Sequence, residues 1–172
     1  MQNAEVLLTL ADVSVAFAGF AGLAGVLRRH FAPADHWIAG ARLRGLVENA
    51  LIALAFSLLP FALERLGLTG NLLWRIASLM FGVGWLAAGV AAIRYHARAA
   101  IAGNPRIPHG RNAVFVVVFL TSAAQIINSL GFFGDWADAI YLIGLYAVLA
   151  VSGLLFMRLM APGNTQASDG DN

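Results

Sequence analysis

Five apolar segments, each long enough to cross a lipid bilayer, make up most of this 172-residue chain. A membrane-spanning helix needs about 20 predominantly apolar residues, each adding about 1.5 Å to its length. The segments cover residues 6–27, 45–63, 72–93, 113–133 and 137–160. The sequence therefore predicts an all-α bundle of five transmembrane helices over residues 1–160, with a tight turn at Gly134-Asp135-Trp136. The polar tail 161–172 is predicted to be disordered.

The composition supports a membrane protein and excludes several kinds of site. Hydrophobic residues make up 60% of the chain and charged residues 12%, against about 25% charged residues in a typical soluble domain. The chain has no cysteine, which excludes disulfides and thiolate metal ligands. All 11 basic residues are arginine, so there is no lysine to form a Schiff base. We expect no cofactor, and a net charge of only +2 does not indicate a nucleic-acid partner.

The arginines predict how the bundle is oriented in the membrane. Positive charge next to membrane spans stays on the cytoplasmic side. With five spans, most arginines fall on the side that holds the first loop, the third loop and the C-terminal tail. These are Arg28, Arg29, Arg42, Arg44, Arg94, Arg98, Arg106, Arg111 and Arg158. Only Arg65 and Arg75 fall on the other side, which predicts an outside N-terminus and a cytoplasmic C-terminus.

Small residues recur at four-residue spacing on two of the predicted helices. Ala18 and Gly22, with Gly25 close by, lie in the first helix, and Gly84 and Ala88 lie in the third. Small residues let helix backbones approach each other within a membrane, where there is no hydrophobic force to hold helices together. We expect these positions to pack within the bundle or, as the alternative, to mediate self-association.

Proline 60 lies inside the second predicted helix. A proline there cannot donate a backbone hydrogen bond and clashes with the carbonyl of Phe56, four residues earlier, so it predicts a kink. Ser57 is the nearby side chain expected to help satisfy the freed backbone groups.

Polar side chains at membrane depth are the main candidates for function. Asp12, Arg75, Gln125 and Asn128 all fall in the outer third of their predicted spans. Ionisable residues inside a membrane are costly and are functional candidates by default. One interpretation is a cluster that binds a proton, a small ion or a ligand. The other is an Asp12–Arg75 ion pair and an interhelical amide hydrogen bond that hold the helices in register.

A second polar group falls at the cytoplasmic end of the second predicted helix. Arg44 and Glu48 are four residues apart, so they share a helix face and are expected to form an ion pair at the membrane interface. The four histidines lie in loops or at span ends without the spacing of a metal site, so no metal is expected. The sequence contains no catalytic motif, and we expect a protein that is not an enzyme.

Most of the chain also resembles a known group of proteins. The segments DVSVAFAGFAGLAGVLRR, RLRGLVENALIALAFSLLPFAL, LLWRIAS and QIINSLGFF are similar to a loosely defined group of small bacterial inner-membrane proteins of unknown function. The resemblance implies a five-helix protein of the bacterial inner membrane and assigns no active residue. We expect a subunit that forms a homo-oligomer or binds another membrane subunit. The alternative is a proton or small-ion channel that uses the cluster around Asp12.

Overall fold

The structure, a computed structural model, describes residues 3–31, 36–103 and 111–160, and their side chains except at 27–39 and 111. These residues form five α-helices and no strand. The helices are α1 (Ala4–Phe31), α2 (His36–Arg65), α3 (Gly70–Ile101), α4 (Arg111–Ser129) and α5 (Ala137–Met160). Each contains a stretch long and apolar enough to cross a membrane. The predicted all-α bundle of five membrane-spanning helices is confirmed; the predicted tail 161–172 lies outside the described residues.

The helices pack in three layers. The central layer is α2 against α5; α1 packs mainly on α2, and α3 and α4 pack on each other on the opposite side. Helices α1, α3 and α5 begin at the same end of the bundle, where the Asn3 side-chain amide donates a hydrogen bond to Asp138. The opposite end, which carries Arg42, Arg44 and Arg158, is called the arginine-rich end.

Aromatic rings fill the core between α2, α3 and α5. The Phe81 ring is fully buried, with its centroid 4.9 Å from that of Phe56 and 5.6 Å from that of Tyr141. Trp85 stacks on Phe81 one turn further along α3, with ring centroids 5.9 Å apart. Rigid rings that meet in this way fix how far apart the three helices lie.

Helix α4 ends four residues earlier than the sequence predicted. It stops at Ser129, and residues 130–133 form a turn before a single 3-10 turn over Gly134–Trp136. Gly131 has a φ of 85°, a left-handed conformation that glycine adopts without strain and that commonly ends helices. The hydropathy of Leu130, Phe132 and Phe133 extended the predicted span past this glycine.

Helix α2 continues through Pro60, and the predicted partner of the carbonyl that this proline leaves unpaired is corrected. The carbonyl oxygen of Phe56, which Pro60 cannot pair, accepts a hydrogen bond of 2.6 Å from the hydroxyl of Tyr141 on α5. Ser57 is buried, but its hydroxyl has no partner among the described residues. A buried carbonyl in a membrane needs a donor, and here a neighbouring helix supplies it.

Some of the small residues that were predicted to pack between helices contact another helix, and others do not. A Cβ atom at Gly25 would lie 2.6 Å from a Leu43 side-chain carbon, and one at Gly84 would lie 2.9 Å from the Phe56 ring. Ala18 and Ala88 are half-buried. Gly22 differs from the expectation of packing within the bundle, because it is exposed and a Cβ there would meet no atom.

Candidate functional site

Two of the predicted site residues form a buried polar layer between α3, α4 and α5. The side-chain nitrogen of Asn128 donates hydrogen bonds of 2.8 Å to the hydroxyl of Ser78 and 2.8 Å to the carbonyl of Ala137. The side-chain nitrogen of Gln125 donates one of 2.7 Å to the carbonyl of Ile140. Both amides are almost completely buried. They join the start of α5 to α3 and α4, and we refer to Ser78, Gln125 and Asn128 as the polar layer.

Two glycines give the polar layer its close packing. A Cβ at Gly144 would collide with the side-chain nitrogen of Gln125 and would lie 2.6 Å from the Phe81 ring. A Cβ at Gly82 would lie 3.0 Å from both the Gln125 Cβ and the carbonyl oxygen of Ser122. Helices α3 and α5 therefore approach α4 from two sides at Gln125, and only glycine fits at those points without a shift.

The polar layer keeps unused acceptor atoms. The side-chain oxygens of Gln125, Asn128 and Ser122 are buried and have no hydrogen-bond partner among the described residues. The amide donors are engaged by backbone carbonyls or by Ser78, so the two amides are fixed in one orientation. Such a layer holds helices in register, because each amide is tied to a neighbouring helix.

Arg75 lies next to the polar layer, on the surface of the bundle. Its side chain is exposed, and Nε donates a hydrogen bond of 2.9 Å to the carbonyl of Ser129 at the end of α4. A Cβ at Gly131 would lie 3.1 Å from the guanidinium carbon, so the arginine packs over this glycine. The two terminal nitrogens of Arg75 make no hydrogen bond with any described residue and remain available to a further partner.

Asp12 does not join these residues. It lies in α1, which packs against α2 and α5 and not against the α3–α4 pair. Its side chain is exposed and forms no hydrogen bond or ion pair with the described residues. The structure thus brings Gln125 and Asn128 together, with Arg75 beside them, and leaves Asp12 on the other side of the bundle. The predicted Asp12–Arg75 pair is not formed within one chain, because α2 and α5 lie between the two residues.

At the arginine-rich end, Arg44 and Glu48 form an exposed ion pair. The Arg44 Nε lies 2.6 Å from the Glu48 Oε1, and both side chains are about half exposed. The guanidinium carbon of Arg44 also lies 4.7 Å from the centre of the Tyr95 ring, in a cation–π contact between α2 and α3. Exposed ion pairs of this kind contribute about 0–1 kcal/mol.

A cleft of about 130 Å³ opens beside this ion pair, between α2, α3, α4 and α5. Its inner end is the buried Trp85, whose indole nitrogen donates a hydrogen bond of 3.1 Å to the side-chain oxygen of Asn49. Its walls are apolar, with alanine or glycine at half of the wall positions, and its mouth is polar. The wall residues are Ala41, Gly45, Ile52, Ala88, Gly89, Ala92, Val114, Phe115, Val118 and Leu155, and the polar ones are Arg42, Glu48, Asn49, His96 and Arg158.

Arg42 and Arg158 bring positive charge to the cleft mouth. Both side chains are half-buried, and an Arg42 terminal nitrogen donates a hydrogen bond of 2.8 Å to the backbone carbonyl of Arg158. The guanidinium of Arg158 makes no hydrogen bond or ion pair with any residue that the structure describes. In the sequence, Arg158 indicated only the orientation of the bundle, and no motif predicted the cleft. The sequence feature from which the cleft could have been predicted is the set of small residues with which α2 and α3 line it.

No group of three or more histidine, aspartate or glutamate side chains in the described part of the chain lies close enough to hold a metal ion. Comparisons of this chain with protein-family models, with curated proteins and with solved structures find no match. The polar layer, the exposed Asp12 and the cleft are therefore the features from which a function can be inferred.

Proposed function

We propose that this chain is a non-enzymatic subunit of a membrane assembly, and that it assembles with further copies of itself through the exposed face of α1. The observation that carries the proposal is Asp12, whose side chain has no partner among the described residues. It lies eight residues from the start of α1, or about 12 Å along the helix axis. An ionisable side chain at membrane depth costs about 2.5–3.5 kcal/mol unless it meets a partner.

The surface around Asp12 suits contact with another helix. Ala16 and Gly19 lie on the same exposed face of α1, one and two turns further along. A Cβ at Gly19 would meet no atom of the same chain, so this face has no neighbour within the described bundle. Small residues beside a polar residue are typical of helix contacts in membranes.

Charge complementarity indicates a second copy as the partner. Arg75 is exposed, has two terminal nitrogens without a partner among the described residues, and lies five residues from the start of α3, about 8 Å from the same end of the bundle. Its long side chain can cover the remaining difference in depth. Asp12 and Arg75 occupy opposite sides of one bundle, so pairing between copies is head-to-tail and generates a ring when the rotation closes.

Cysteine cross-linking tests this contact with both charges intact, because the natural chain has no cysteine. Ala16→Cys places a thiol one turn from Asp12, and Leu79→Cys places one a turn from Arg75. Two differently tagged chains, one with each substitution, are expected to form a disulfide-linked pair in membranes. Ala55→Cys is the matched control, since Ala55 is equally exposed and lies at similar depth on α2.

Charge exchange separates a specific pair from chance proximity. Asp12→Arg is expected to reduce the oligomer measured by native mass spectrometry, and adding Arg75→Asp to the same chain is expected to restore it. Self-assembly would be overturned by a monomeric wild-type protein in which the Ala16→Cys and Leu79→Cys chains cross-link no more than the Ala55→Cys control does. That result would point to a different membrane subunit as the partner.

Ion transport is the alternative outcome. Proton flux into proteoliposomes that Asp12→Asn abolishes, while the size of the oligomer is unchanged, would replace the scaffold proposal with a channel or transporter.

A further inference from the structure

We infer that the cleft at the arginine-rich end is a binding site for an anionic lipid, with one acyl chain in the cleft and the phosphate at Arg158 and Arg42. The cleft lies at the opposite end of the bundle from Asp12 and Arg75.

The shape of the cleft fits a chain-like apolar group. Its lining on α3 extends from Trp85 to His96, a separation of eleven residue steps, which is about 16 Å along the helix. A volume of about 130 Å³ far exceeds the ~10–15 Å³ that one water requires. Small residues line the cleft on both α2 and α3, among them Gly45 and Ala88, and larger side chains in this lining would narrow it.

The polar side chain at the inner end of the cleft is already paired within the bundle. Asn49, at the inner end, is engaged through both polar atoms, which bond to the Trp85 indole and to the Gly45 carbonyl. It offers little to a polar ligand, so the inner cleft is effectively apolar. At the mouth, Glu48 pairs with Arg44 on the exposed side, 2.6 Å from its Nε.

Arg158 supplies the charge that selects an anion. It is half-buried at the mouth and its guanidinium has no partner among the described residues, so its five donors are available. Phosphate oxygens match the guanidinium fork in a two-point contact. Basic pockets between transmembrane helices are known sites for anionic lipid headgroups. An apolar cleft with a cationic mouth therefore matches an anionic lipid better than a zwitterionic or uncharged one.

Quenching of Trp85 by brominated lipid measures occupancy directly, because this tryptophan forms the inner end of the cleft. The probe protein keeps Trp85 and carries phenylalanine at the other three tryptophans, in nanodiscs of phosphatidylcholine. A few mole per cent of phosphatidylglycerol with brominated acyl chains is expected to quench Trp85 strongly. The same fraction of brominated phosphatidylcholine is expected to quench it weakly. Equal quenching by the two lipids would overturn the inference.

Two variants separate the headgroup contact from general surface charge. Arg158→Gln is expected to weaken the preference for the anionic lipid about tenfold, as for loss of a charged hydrogen-bond partner. Arg98→Gln, at an exposed arginine of the same end that does not line the cleft, is the matched control. A preference that survives Arg158→Gln, or that falls equally in Arg98→Gln, would contradict the assignment.

Filling the cleft tests the acyl-chain site. Ala88→Leu is expected to remove quenching without changing charge, and Ala92→Leu provides a second variant should the first not fold. Persistence of full quenching in a folded filled variant rules out the cleft as the chain site.

Inorganic phosphate distinguishes the source of the anion. Millimolar phosphate that displaces the lipid completely would show a free-phosphate site and overturn the lipid assignment, whereas partial or no displacement supports it.

Discussion

The polar layer and the cleft are both built around small residues of α3, yet one is closed and the other open. At the polar layer, Gly82 receives the Gln125 side chain and the α4 backbone, with the nearest atoms 3.0 Å from a Cβ placed there. At the cleft, Ala88 and small residues of α2 line a space of about 130 Å³. The comparison shows that a small residue produces a close contact only where the opposite side chain fills the space it leaves.

The largest loss of stability is expected from a substitution in the polar layer, at the point where the helices pack most tightly. Gly144→Ala places a methyl group against the Gln125 amide and the Phe81 ring, and overpacking of this kind costs about 1–3 kcal/mol. Gly153→Ala on the same helix is the matched control, because its nearest atom would be 3.8 Å away. The stability of both variants is measured by thermal unfolding in detergent, which is detected as loss of the monodisperse peak. Equal stability of the two variants would show that the layer is less tightly packed than its geometry implies.

A smaller effect is expected from the hydrogen bond that joins α5 to α2 beside the polar layer. Tyr141→Phe leaves the Phe56 carbonyl without its donor and is expected to cost about 0.6–1.7 kcal/mol, measured by the same thermal unfolding. Tyr146→Phe, at an exposed tyrosine of the same helix, should be neutral.

A double-mutant cycle identifies the cause of that effect. In a Pro60→Ala background the helix regains the backbone donor for the Phe56 carbonyl, so Tyr141→Phe should then cost less. An unchanged cost in both backgrounds would mean that Tyr141 acts through its packing and not by satisfying the carbonyl that Pro60 frees.

The smallest change in stability is expected from a substitution at the rim of the cleft. Glu48→Gln removes an exposed ion pair and should change the free energy of unfolding by about 0–1 kcal/mol, decreasing further at high salt. Denaturation curves at two salt concentrations check this. A loss as large as that of Gly144→Ala would indicate that the cleft rim is a structural element and not a solvent-exposed edge.

The sequence predicted the number of helices well and their ends less well. Hydropathy alone located five spans, since every backbone group in a bilayer must be paired within a helix. It extended α4 to residue 133 because Phe132 and Phe133 are apolar, although Gly131 turns the chain after Ser129. Orientation rests on the arginine distribution and stays a prediction.

The candidate site was only partly predictable. Gln125 and Asn128 were identified as polar residues at membrane depth, but their partners are backbone carbonyls of α5 and the hydroxyl of Ser78. No pattern in the sequence indicates which carbonyl a distant amide will reach. The predicted pair of Asp12 and Arg75 rests on their similar depth, and it does not form within one chain because the helix packing places the two residues on opposite sides.

The sequence by itself determined the apolar helices, the backbone carbonyl that Pro60 leaves without its helical donor, and the presence of polar groups at membrane depth, because these follow from local composition and backbone chemistry. Only the tertiary structure decided which polar groups are satisfied. Tyr141 reaches the carbonyl that Pro60 frees, and Asn128 is buried among its partners. The side chains of Asp12 and Arg158 have no partner among the described residues. Pairing depends on which faces of distant helices meet, and that is set by the packing of the whole bundle and not by any one segment.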